Sequence, residues 1–84
     1  MQFIIGDKLF DTEKAEVVCK FKTIKHFGGR WIEETLYKTK KNNWFIVDED
    51  SKCSSITEIK ARELLRELNN VELYEKYFGK LEEA

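Results

Sequence analysis

The feature that most limits what this chain can fold into is a change of hydrophobic period at Ser55. Before it, apolar residues recur at every second position in short runs, the spacing of strands with one buried face. After it, Ala61, Leu64, Leu65 and Leu68 recur at helical spacing with charged residues opposite. Strands first and helices last define an α+β domain. The expectation is a small antiparallel β-sheet of three to five strands, followed by one or two C-terminal α-helices packed on one face. A chain of 84 residues makes one domain, 1–84, with room for a single two-layer core.

Turn chemistry delimits the elements. Gln2 to Ile5 and Lys8 to Phe10 flank a Gly6-Asp7 turn signal. Asp11 heads a single helical turn, "DTEKA", because its carboxylate can accept the amide hydrogens that such a turn leaves free. In "EVVCKFKTI", Val17, Cys19 and Phe21 alternate with Val18, Lys20 and Lys22, as in a half-buried strand. "KHFGGR" breaks that strand and makes His26 a surface loop residue. "WIEETLYKT" and "NWFIV" follow as a hairpin around "KKNN", since asparagine tolerates left-handed turn positions. "DEDSKCSS" reads as an acidic loop. Ser55 and Glu58 then fit a capping box, with Thr57 as a rival N-cap. Asn69-Asn70 interrupts the helical pattern. Val71, Tyr74 and Phe78 line a second, shorter helix, which Gly79 closes.

Both tryptophans lie in the central hairpin, on what parity assigns to one mixed face. If its turn holds two central residues, Ile32, Leu36, Phe45 and Val47 share one face and pack under the helices. The other face collects Trp31, Glu33, Thr35, Tyr37, Trp44 and Ile46. That face has two readings. It is a second core covered by the N-terminal strands, or an exposed binding surface, since clustered Trp and Tyr mark interfaces and base-stacking platforms. The parity holds only for an even-numbered turn.

Several chemistries lack their residues. There is no phosphate-cradling glycine loop and no recognised nucleophile motif. "DEDSKCSSITEI" departs from a calcium loop at Lys52 and Ile59. Cys19 and Cys53 have no CxxC partner and read as free thiols of a reducing compartment. With His26 they are too few for a zinc site, so no metal or other cofactor is expected. No apolar run approaches the about 18 residues of a membrane span, and the N-terminus lacks a signal-peptide core; the expectation is a cytoplasmic protein. An enzyme is not expected. The net charge of −1 hides an asymmetry: residues 1–42 carry +3 and residues 43–84 carry −4.

Three segments carry a resemblance. Phe10-Asp11-Thr12 with Ala15, Glu34-Thr35-Leu36-Tyr37, and Trp44-Phe45 ahead of an acidic C-terminal helix resemble a family of small proteins. These are encoded by phages, prophages and other mobile elements of Gram-positive bacteria, with the pattern Y/F-D-T-x-x-A, then E-T-L-Y, then an aromatic pair. The glycine-rich insert usual there after the aromatic strand is replaced here by "DEDSKCSS". Small proteins of this origin are similar in size and composition to anti-defence proteins, including anti-CRISPR inhibitors, which act without catalysis.

The resemblance therefore implies a non-enzymatic inhibitor that binds a host protein in the bacterial cytoplasm, with a CRISPR effector or other defence complex as partner. Its expected contacts are Trp31, Glu33, Tyr37 and Trp44 on the hairpin and Asp48, Glu49 and Asp50 in the acidic loop, the latter standing in for phosphates in a basic channel. The alternative is a single-stranded nucleic-acid binder. There Trp31, Tyr37 and Trp44 would stack bases while Arg30, Lys38, Lys40 and Lys41 follow the backbone. A sequence pI of about 5.9 weighs against it. Either a monomer or a homodimer fits.

Overall fold

A computed structural model describes residues 1–24 and 28–84. The reading of His26 as a loop residue lies outside the described residues. The chain forms β1 (Gln2–Ile5), β2 (Lys8–Asp11), β3 (Glu16–Ile24), β4 (Trp31–Lys38), β5 (Trp44–Asp48), β6 (Cys53–Ile56), α1 (Glu58–Glu67) and α2 (Val71–Phe78). Strands β3-β4-β5-β6 make an antiparallel four-stranded sheet, and β1-β2 a separate hairpin. This is the α+β architecture expected, with helices last.

The sheet is covered on both faces, unequally. On one side α1 and α2 bury Val18, Phe21, Leu36 and Trp44 against Ala61, Leu65 and Tyr74. Ala61 is fully buried, and a side chain that small lets α1 approach the sheet closely. On the other side the β1-β2 hairpin lays Phe3, Ile5 and Phe10 over Phe45, Val47 and Tyr37. Phe45 is fully buried, with Phe10 edge-on at 5.2 Å and Tyr37 stacked at 4.9 Å. A two-layer core is thus corrected to two apolar clusters on either side of one sheet. Each fully buried Phe or Leu adds ~1.5–3 kcal/mol.

The central hairpin overturns the parity reading. Thr39 N–H bonds to the Asn43 carbonyl and Asn42 N–H to the Thr39 carbonyl, so Lys40, Lys41 and Asn42 form a three-residue turn. Asn42 takes φ 64°, the left-handed residue that such a loop requires. An odd turn pairs Lys38 with Trp44, Leu36 with Ile46, and Tyr37 with Phe45. Trp44 and Ile46 therefore join Leu36 under the helices, while Phe45 and Val47 join Tyr37 under the hairpin. A bulge at Val17/Cys19 similarly turns Val18 into the helix-side core and leaves Val17 exposed, against the alternation expected.

Local capping follows the sequence more closely. The Thr57 hydroxyl accepts from Lys60 N–H, so Thr57 caps α1, and Ser55 instead pairs with Phe45 in β6. Asn69 and Asn70 terminate α1: their N–H groups bond to Arg66 and Leu65 carbonyls, with Asn69 at φ 52°. The Asn70 side chain then accepts from Leu73 N–H and starts α2. Gly79, at φ 97°, closes α2.

Candidate functional site

The β1-β2 hairpin reaches only part of the sheet's second face. Cross-strand pairing places Ile24 opposite Trp31, Lys22 opposite Glu33, Lys20 opposite Thr35 and Val17 opposite Tyr37, all on that face. Beyond Tyr37 and Thr35 this half is open. Val17, Lys20, Lys22, Ile24, Trp31 and Glu33 are all exposed. Trp31 is 60% exposed, the only exposed aromatic among the described residues, and Ile24 across from it is 52% exposed. An indole and a branched aliphatic side chain thus form an uncovered apolar pair between basic and acidic neighbours.

The expected contact residues separate. Trp31 and Glu33 stay together on the open half-face. Tyr37 is half-buried, its ring spent on Phe45. Trp44 is 3% exposed and packs between Tyr77 at 5.5 Å and Phe78 at 5.4 Å, so it is corrected from contact residue to core residue. The three-ring stacking platform does not form, because Trp31 and Trp44 lie on opposite faces of the sheet.

The acidic loop is a structured hairpin turn between β5 and β6. Asp48 Oδ1 accepts from both Asp50 N–H and Lys52 N–H at 2.9 Å, and Ser51 takes φ 62°. Glu49 accepts from Arg30 at 2.7 Å, and its second oxygen from Glu33 N–H at 3.4 Å. Two of the three carboxylates are therefore engaged within the chain, and the Asp50 side chain has no partner among the described residues. Arg30 is occupied by Glu49 at one end of β4. Lys38 lies over the Tyr77 ring at 6.0 Å at the other end, close to Lys40 and Lys41 in the turn.

The motif residues prove to be structural. Asp11 accepts from Glu13 N–H at 2.9 Å, as expected for the head of its turn, and from Gln2 at 3.3 Å. These bonds, the backbone amide foremost, hold its carboxyl below its ordinary value. Ala15 packs in the hairpin-side cluster, and Glu34 accepts from the Thr23 hydroxyl at 2.6 Å. The nearby Tyr77 hydroxyl, although it makes no hydrogen bond, and then the Lys76 ammonium, 3.1 Å away, hold the Glu16 carboxyl low as well.

Cys19 and Cys53 are free and half-buried on opposite faces of the sheet; burial pushes both thiols up, away from the reactive thiolate. Among the described residues, no three His, Cys, Asp or Glu side chains gather to hold a metal ion. No described helix is long and apolar enough to cross a membrane.

Sequence reasoning missed Ile24 and Lys22 as neighbours of Trp31, and Lys20 and Val17 further along the same face. The signal was the alternation of β3, but its partners depended on the register with β4. No protein-family model, curated protein or solved structure matches the chain.

Proposed function

We propose that this chain is a non-enzymatic binding protein that engages a host protein through the open half of its sheet, centred on Trp31. The observation that supports this reading is the uncovered Trp31–Ile24 pair, in a chain whose other described aromatic rings are all buried or half-buried. An exposed Trp beside charged side chains has the composition of an interface hot spot: burying the indole supplies affinity, and Lys22 and Glu33 beside it, with Lys20 further along β3, set register. The resemblance to mobile-element proteins makes a CRISPR effector or other defence complex in the bacterial cytoplasm the partner to test first. Inhibition would follow from occupancy alone.

The acidic loop contributes less than its charge suggests, because Asp48 and Glu49 are committed to the turn and to Arg30. Reversing Asp50 alone therefore tests the loop as a contact without dismantling it.

The experiment is retention of an effector subunit by the tagged chain from lysate of a CRISPR-bearing host, repeated with the purified subunit. Loss of retention in a folded Trp31→Ala variant supports the reading; unchanged retention in that variant rejects it. The nucleic-acid reading keeps one favourable observation, since Lys22 and, further along β3, Lys20 share the open sheet face with Trp31. A low-salt gel shift with single-stranded DNA, abolished by Trp31→Ala, would move the assignment there.

A further inference from the structure

A second surface stands apart from the Trp31 face. A half-open groove of about 1010 Å³ runs between residues 7–15, which include β2 and the turn after it, and the β4–β5 turn. One wall carries Lys8 and Lys14, the other Lys40 and Lys41. All four are exposed, and among the described residues none has a carboxylate within ion-pair distance. The groove extends past Thr39 to Lys38 beside Glu16, whose carboxylate is paired with Lys76. Exposed Leu9, half-buried Ala15 and the buried Phe10 make up the apolar lining of its floor.

Three acidic residues also line it. Asp11 is 9% exposed and keeps its charge, but its carboxylate oxygens are turned to Glu13 N–H and Gln2. Asp7 and Glu13 remain at the rim among the lysines. This mixture selects the occupant. A phosphodiester strand presents negative charge at every step and would meet Asp7 and Glu13 unfavourably, and the floor has no open ring for bases, Phe10 being only 4% exposed. A peptide can set carboxylates against the lysines, leave Asp7 and Glu13 opposite polar groups, and lay apolar side chains on the floor.

We propose that this groove binds an extended protein segment in which acidic and apolar residues alternate. Its carboxylates lie between Lys8 and Lys14 on one wall and Lys40 and Lys41 on the other, and its apolar side chains contact exposed Leu9 and half-buried Ala15. Lysine suits this role because its flexible stem brings a point charge to carboxylates of varied position.

The test is a titration of the isotope-labelled chain with a short peptide of alternating glutamate and leucine, followed by backbone amide shifts at low salt. The expected shifts fall on residues 7–15 and 39–43, and they weaken as salt rises. Lys40→Glu with Lys41→Glu weakens binding about tenfold or more, whereas Lys40→Arg with Lys41→Arg retains it and Lys80→Glu has no effect. Lys8→Glu with Lys14→Glu tests the opposite wall in the same way. The proposal is overturned by shifts elsewhere, by equal binding of the glutamine-for-glutamate peptide, or by affinity indifferent to these reversals. Stronger shifts of the same residues with oligo(dT) would overturn the peptide in favour of a polynucleotide. The Trp31→Ala variant is expected to bind the peptide normally, which separates this site from the sheet face.

Discussion

Two tryptophans separated by one short hairpin have opposite fates, and the turn between them decides which is which. With three residues in that turn, Trp44 is driven under the helices and Trp31 is left on the open half-face. Their substitutions should differ accordingly. Trp44→Ala removes a ring that touches Tyr77 and Phe78 and is expected to cost ~3–5 kcal/mol in urea unfolding. Trp31→Ala should change stability by no more than ~0.5 kcal/mol, since the side chain is mostly in water. Equal losses for the two would mean that Trp31 is packed. At this scale the sequence is a poor guide: nothing in "RW" and "NW" tells a buried indole from an exposed one, because burial depends on a hydrogen bond from Thr39 to Asn43 that fixes the register.

Among the elements, most local signals are legible, although the Ser55–Glu58 capping box gives way to Thr57 as the cap of α1. The helical period of α1, which begins at Glu58 rather than Ser55, the asparagine pair that ends it and the glycine after α2 are each written within a few residues, and caps and turns act over that range. The β6 strand was not legible. "CSSI" has little strand propensity and is held by pairing with β5, an edge position supplied by the rest of the sheet. The lysine groove was hidden for a similar reason: Lys8 and Lys14 meet Lys40 and Lys41 only because the β1-β2 hairpin docks on Phe45. The turn itself is testable. Asn42→Gly should preserve stability, whereas Asn42→Val, forced to φ near 64°, should cost ~1–2 kcal/mol in the same unfolding assay. A harmless valine would mean that the turn, and with it the register, is set differently.

Taken whole, the molecule is a sheet with one full cover and one partial cover. Its radius of gyration is 13.5 Å, against about 12 Å for a compact chain of this length, and it is only 19 Å thick. That shape leaves the open half-face available. Both clusters share Phe45's strand, so unfolding is expected to be a single transition.

On the acid side its pH dependence follows from two carboxyls, each held below its ordinary value, 3.8 for Asp11 and 4.5 for Glu16. A carboxyl depressed in the folded state stabilises it fully above the unfolded value and loses that contribution as pH falls through the folded one. The melting temperature should therefore be flat above pH 4.5 with respect to these groups and fall below pH 3.8. Asp11→Asn with Glu16→Gln should flatten that fall. A decline beginning near neutral pH would point to other groups.

Trp31 is the centre of the proposed partner surface. The most direct measurement compares the affinity of wild type, Trp31→Ala and Ile59→Ala for the purified host subunit that the wild type retains, Ile59 being 68% exposed on α1, away from the open face. The predicted result is about tenfold or greater weakening for Trp31→Ala and wild-type affinity for Ile59→Ala. Wild-type affinity in Trp31→Ala, or no host subunit retained by the wild type, would contradict it.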